Sequence, residues 1–343
     1  MRPIPSGGGH FPGDWIDQSV YFGRADINLS RWSSNPVLPK GTGWEAFGVR
    51  ELRPVIDERG LVVTESDGIW GYYGGTTAAN VWGIGLAKST DNGYSWTKHG
   101  SNPILQATGT TWRQVGVLQP SVVKQDNGTR VMALIGFDST TSGGMGILTS
   151  TDGLTWTDQG KKLALADFTA EGGASVAEMG VPTLIKRADG TWTVLLECRK
   201  TGVSSAWRIF GATATDPTGA WTTINSGSAI FTTSSMGQWE DLGVANPQLV
   251  EAEPGKYVML YNGINLTTSP QTWKVGIARS TDLTTWTRHP LNPRLTRGTG
   301  WENYQVETCF LFKEPKANVF RFLYQGYDAN IAMEVGLAYS TWP

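Results

Sequence analysis

The stretch Gly83-Ile84-Gly85-Leu86-Ala87-Lys88-Ser89-Thr90-Asp91-Asn92-Gly93-Tyr94-Ser95-Trp96 joins a short apolar run to a Ser/Asp/Gly turn that closes on a tryptophan. That closing residue returns at Trp32, Trp96, Trp156, Trp221 and Trp286, at intervals of 64, 60, 65 and 65 residues. A fixed period of this size means supersecondary units stacked about a common axis. The apolar run recurs in register as Gly146-Ile147-Leu148, Phe210-Gly211-Ala212, Val275-Gly276-Ile277-Ala278 and Val335-Gly336-Leu337-Ala338.

Each unit reads as four strands. The second runs from Trp112-Arg113 through Val115 to Val123, Val131 to Phe137 and Met145 to Ser150; the fourth runs from Trp239-Glu240 through Val244 to Val250, Tyr257 to Gly263 and Trp273 to Ser280. Runs of Val, Ile, Tyr and Trp cut by Gly, Asn, Asp and Pro are antiparallel strands and their turns. First strands begin near Trp44, Trp112, Glu178, Trp239 and Trp301, which makes five units. The fifth stops at Pro343 without an outer strand, and Leu29 to Leu38, which matches Ser95 to Leu105 and Thr285 to Leu295, supplies it. A ring closed this way removes exposed sheet edges. The expected fold is all-β: a five-bladed β-propeller of four-stranded antiparallel blades, one domain over 20–343 behind a Pro/Gly-rich tail over 1–19. Val20 to Ala25 resembles an additional third strand.

A formal charge of −2 without a basic run argues against nucleic acid or an anionic membrane as partner. No stretch approaches the apolar length of a membrane span, and Met1 to Asp14 lacks the apolar centre of an export signal, so a cytoplasmic or otherwise soluble protein is expected. Cys198 and Cys309 fall in different units and read as buried thiols rather than a disulfide. Nothing in the sequence fixes an oligomeric state.

Around a propeller's channel, first strands begin and second strands end on one face, and polar residues collect there. First strands bring Glu51, Arg53, Gln119, Glu178, Asn246 and Glu307; second strands bring Asp138, Glu197, Arg199, Asn262, Gln325 and Asp328. Loop tryptophans Trp44, Trp112, Trp239 and Trp301 stand beside them. Aromatic faces next to carboxylates and amides suit sugar rings. Glycosidic cleavage needs one carboxylic acid and one carboxylate, and Glu51, Glu178, Glu197 and Glu307 are the candidates. Arg53, Gln119, Asn246, Arg199, Asp138 and Asp328 would bind substrate, an Arg among carboxylates suiting an acidic sugar or phosphate. His99 and His289 follow outer-strand tryptophans and read as surface residues, so neither zinc nor a Ser/His/Asp triad is indicated. No cofactor is required, although carbonyls and carboxylates leave room for a structural calcium.

The pattern Asn-Pro-(Val/Ile)-Leu, Trp-Glu, Gly-Val-x-x-Pro and Gly-Ile-Gly-Leu-Ala-x-Ser-x-Asp-x-x-x-x-Trp resembles the five-bladed propeller glycoside hydrolases, the superfamily of families 43, 32, 62, 68, 117 and 130, over almost the whole chain. That resemblance implies an Asp on each of the first two inner strands and a Glu on the third, acting as base or nucleophile, partner and general acid. Glu178-Met179-Gly180-Val181-Pro182 is similar to the third-blade Glu-Gly-Pro region of family 43 and nominates Glu178 as acid; Glu197-Cys198 resembles the Glu-Cys pair of family 32. The two Asp-Pro positions read Arg53-Pro54 and Gln119-Pro120, so Glu51 or Glu307 would serve as base or nucleophile. The segment Ser89 to Trp96 also resembles the Asp-box of sialidases, for which Arg53, Arg199, Arg321, Tyr304 and Glu307 would be the site, although sialidases have six blades. The expected function is a glycoside hydrolase acting on an oligo- or polysaccharide. The alternatives are a non-catalytic carbohydrate-binding propeller and a sialidase-like or phosphorolytic enzyme.

Overall fold

A computed structural model describes residues 29–77, 81–107, 112–138, 142–265, 272–312 and 319–341. The Val20 to Ala25 segment lies outside them. The described chain is all-β, with only 3-10 turns besides strands, and no helix in it is long and apolar enough to cross a membrane.

Strands pair with their sequence neighbours in antiparallel groups. The first group is Gly48–Pro54, Gly68–Thr76, Trp82–Ser89 and Thr97–Lys98; the second is Gly116–Lys124, Arg130–Phe137, Ser142–Ser150 and Thr157–Leu163. The third is Ala174–Lys186, Trp192–Lys200, Trp207–Ala214 and Thr222–Thr223; the fourth is Gly243–Glu253, Lys256–Ile264, Trp273–Ser280 and Thr287–Arg288. The last group is Gln305–Leu311, Val319–Tyr327 and Met333–Thr341, and Ser30–Arg31 pairs with its outer edge through Tyr339 and Ala338. The outer strand expected from the N-terminal side is therefore in place. A single parallel bridge, Gly48 to Met333, joins the last group to the first in one sheet.

The repeated Trp-Glu pair is a clip between a loop and an outer strand. Glu45 Oε2 accepts the Tyr73 hydroxyl at 2.7 Å and pairs with Lys98, while Asn102 Nδ2 donates to the same hydroxyl at 3.0 Å. Glu240 with Tyr261, Asn292 and Arg288, and Glu302 with Tyr324, Asn35 and Arg31, repeat it. In the second group the clip has opposite polarity, Arg113 Nε donating to Asp158 Oδ2 at 2.7 Å. The Ser/Asp turns cap themselves: Asp91 Oδ1 accepts the Ser95 N–H, Asp152 Oδ1 that of Thr155 and Asp282 Oδ1 that of Thr285. The Asp-box is thus built as a turn. His289, expected at the surface, is buried, with Nδ1 accepting the Leu291 N–H at 3.0 Å. Cys198 and Cys309 are buried free thiols.

Candidate active site

The first strand of every group carries a β-bulge at the same height, with register shifts at Arg50/Arg53, Leu118/Ser121, Gly180/Thr183, Ala245/Gln248 and Thr308/Phe310. Glu51, Gln119, Val181 and Asn246 take positive φ there, of 47°, 64°, 45° and 49°. A bulge re-aims side chains, and its left-handed residue turns its N–H out of the ladder. Three of those N–H groups, together with that of Thr308 at the bulge of the last group, stitch neighbouring groups together. Val181 N–H donates to Gln119 Oε1 at 2.9 Å and Asn246 N–H to Glu197 Oε2 at 2.6 Å. Thr308 N–H donates to Asn262 Oδ1 at 2.9 Å and Glu51 N–H to Gln325 Oε1 at 3.0 Å. Four bulge amides thus bind a side chain of the preceding group, the last group preceding the first.

This geometry corrects the sequence register. The counterpart of Gln119-Pro120 is Glu51-Leu52, not Arg53-Pro54, and the third-group counterpart is Val181-Pro182, not Glu178. Arg53 follows the bulge, one layer further along the first strand. Its Nε donates to the Cys309 carbonyl at 3.0 Å and Nη1 to that of Pro182.

Three buried carboxylates, Glu51, Glu197 and Glu307, lie at the level of the bulges. Glu51 Oε1 accepts Arg50 Nε at 2.6 Å and Gln119 Nε2 at 3.3 Å, while its buried Oε2 has no partner among the described residues. Glu307 Oε1 accepts Gln305 Nε2 at 2.7 Å, and its Oε2 accepts the Tyr327 hydroxyl at 3.0 Å and Gln325 Nε2, with Arg50 Nη2 at 3.9 Å. Arg50, not singled out in the sequence, joins two of the three, and its side chain is 21% exposed against 1% for Glu51 and 5% for Glu307. Its signal was its place beside Glu51 at a strand start.

Burial sets the proton affinities. It pushes the Glu197 carboxyl up to about 8, further raised by the charges of Glu307 and Glu51 and opposed by the Asn246 N–H and Arg50. Burial likewise raises Glu307, against the pull of Arg50. Glu197 stands where the fourth and fifth groups present Asn262 and Gln325 to the corresponding amides. A protonated carboxyl is the isostere of those amides. Gly180 leaves room for it, since a Cβ there would lie 2.6 Å from Glu197 Oε1.

The other expected site residues lie elsewhere or are engaged. Glu178 pairs with Arg199 at the strand start, its side chain 40% exposed, outside the buried cluster. Asp328 Oδ1 accepts the N–H groups of Asn330 and Ala332, which makes it a turn cap. Asp138 is half-buried just past Arg130–Phe137, its carbonyl accepting Gln114 Nε2. Asn246 Nδ2 donates to Asn262 Oδ1 at 3.2 Å, and both residues are buried. Trp44, Trp112, Trp239 and Trp301 are not free platforms. They lie on Gly75, Gly136, Gly263 and Gly326, where a Cβ would come within 2.3–2.4 Å of the ring. Of the residues nominated from the sialidase likeness, only Glu307 and Arg53 lie at or next to the bulges. Among the described residues no group of three or more His, Cys, Asp or Glu is placed to hold a metal. A cavity of about 540 Å³ lined by Asp57, Arg59, Val62, Lys124, Phe312 and Arg321 lies at the opposite strand ends and contains none of this cluster.

No family model matches the sequence, and no curated protein matches it significantly. Solved structures do. The chain is similar to a structure described under the GH130 family of mannoside phosphorylases, containing glycoside hydrolases that target β-1,2 mannosidic linkages in Candida mannan (17% identity, 92% of this chain and 94% of that one, TM-score 0.66). It is similar to a glycosyl hydrolase from Bacteroides ovatus (17%, 92% and 93%, 0.67) and to the β-1,2-mannobiose phosphorylase of Listeria innocua in complex with β-1,2-mannobiose (14%, 91% and 96%, 0.64). The chain shares the propeller-type fold of these carbohydrate-active enzymes.

Proposed function

We propose that this chain is a five-bladed propeller glycoside hydrolase, its strand groups the blades and Ser30–Arg31 the closing strand. The observation that carries the reading is the convergence of Glu51, Glu197 and Glu307, from three different groups, on one ring of bulges at the channel. Fold likeness alone does not assign a reaction; the carboxylates supply the chemistry. Glu197, held protonated by burial, is the general acid that protonates the leaving oxygen. Glu51, ion-paired to Arg50 and with Oε2 unengaged, is the base or nucleophile. Glu307, 3.9 Å from Arg50 Nη2, helps hold Arg50 beside Glu51. Glu178, in its exposed pair with Arg199, is reassigned from acid to the rim.

Reducing-sugar release across neutral and acidic glycans, comparing wild type with Glu197→Gln, Glu51→Gln and Glu178→Gln, tests the assignment. The reading expects the first two variants to lose turnover and the third to keep it. Binding without turnover in the wild type would make the chain a carbohydrate-binding module. Phosphorolysis is a second reading, favoured by Arg50, a cation partly exposed between two carboxylates and suited to an incoming phosphate. Turnover that requires inorganic phosphate would select it.

A further inference from the structure

One register below the bulges, a cavity of about 20 Å³ lies inside the channel. Arg53, Ser121, Thr183 and Gln248 form its polar lining. They follow the bulge in the first four groups, and Phe310 holds the same place in the fifth. Among the described residues that line it, Arg53 alone is charged. Arg53 is 2% exposed, and two of its guanidinium nitrogens donate to the carbonyls of Cys309 and Pro182. Nη2 has no partner among the described residues.

Carbonyls solvate a guanidinium without neutralising it. Burial pulls the pKa of Arg53 down to about 10 despite the charges of Glu51 and Glu197 nearby. Neither carboxylate touches it, and Glu51 is already paired with Arg50. Ser121 Oγ accepts the Leu184 N–H at 2.9 Å and Thr183 Oγ1 that of Leu249 at 3.4 Å, so each hydroxyl keeps its hydrogen to donate. Gln248 Nε2 gives one hydrogen to the Pro247 carbonyl at 2.8 Å and keeps the other. The cavity is therefore edged by unused donors around an unneutralised buried cation, a combination that is costly when left unfilled. Its size suits one water-sized occupant.

We propose that this cavity is a structural site for a monovalent halide, chloride in ordinary solution, which neutralises Arg53 and ties the first four groups together through its donors. The site is separate from the carboxylate ring and stands whether or not the chain turns over a glycan.

Thermal unfolding in sodium chloride against sodium gluconate at constant ionic strength, together with anomalous diffraction from crystals soaked in sodium bromide, tests it. Chloride is expected to raise the melting temperature saturably by about 2 °C or more, and bromide to give a peak at hydrogen-bond distance from Arg53 Nη2. Arg53→Met should lose the chloride response. Thr183→Val, which keeps the shape and the cation, should fold and need about tenfold more chloride for the same effect, from the loss of one hydrogen bond to a charged group. Equal melting in both salts, no bromide peak, or a chloride response undiminished in Thr183→Val would each overturn the proposal and leave water as the occupant.

Discussion

Replacing Glu197 by Gln should make the protein more stable in alkali than the wild type, by an amount that burial sets. The folded carboxyl is pushed up to about 8 from an ordinary 4.5. Between those values the folded state holds a proton that the unfolded chain has released. The stabilisation is therefore complete below the unfolded value, is lost as pH rises towards 8, and is constant beyond. At about 1.4 kcal/mol per pKa unit, the loss between pH 5 and pH 8 is on the order of 3 kcal/mol. Gln cannot ionise, and its carbonyl can accept the Asn246 N–H as Gln325 and Asn262 accept those of Glu51 and Thr308. Urea unfolding at pH 5, 6, 7 and 8 would show the gap between variant and wild type opening in favour of the variant. Parallel profiles, differing by less than about 0.5 kcal/mol in slope over that range, would refute a protonated Glu197. Activity is read separately: if Glu197 is the acid, kcat/KM of the wild type declines as pH passes through about 8, and the variant is slowed by roughly a hundredfold or more.

Gly180→Ala drives a methyl to 2.6 Å from Glu197 Oε1, so activity should fall by at least about tenfold with roughly 1–3 kcal/mol of stability lost; kinetics and urea unfolding of the same preparation check both. Arg113→Glu sets two acids together in the second-group clip and should destabilise by about 2–4 kcal/mol. Arg113→Glu with Asp158→Arg should recover at least half of that, since the first, fourth and last groups already run the clip with Glu on the loop and the cation on the outer strand. Glu178→Gln should leave kcat within about threefold of wild type and stability within about 1 kcal/mol, because its ion pair is partly exposed.

Much of the strand order was legible because the repeat is written in residues that touch each other within a unit. The tryptophan turns, the Trp-Glu clips and the Asn-Pro segments each close a local contact that recurs with the same residue types. Charge-swapping in the second group shows how loosely the chemistry needs to repeat: Arg113 reads as an exception in sequence and as the same clip in space.

Glu51, Gln119, Glu197 and Glu307 could be picked out of the sequence as polar residues of one cluster, but their register could not, and the reason is the bulge. In three groups a proline follows the left-handed residue, at Pro120, Pro182 and Pro247, so proline looks like the marker of the position. In the first group the left-handed residue is Glu51 and the next is Leu52, with Pro54 two residues further along. Aligning on proline therefore slips the first strand by two residues. In a strand such a slip preserves the facing side and changes the depth. That is why Glu51 and Arg53 both read as channel residues while their layers stayed hidden: the carboxylate belongs to the ring where Glu197 and Glu307 meet, and the guanidinium to the donor-lined layer below it. The same reasoning removes Glu178, which lies three residues before the left-handed Val181 and pairs with Arg199 at the edge of the group rather than with anything across the channel. The buried carboxylates stand at two kinds of place, beside the bulge, as Glu51 and Glu307 do, or at the second-strand residue that accepts the next bulge amide, as Glu197 does.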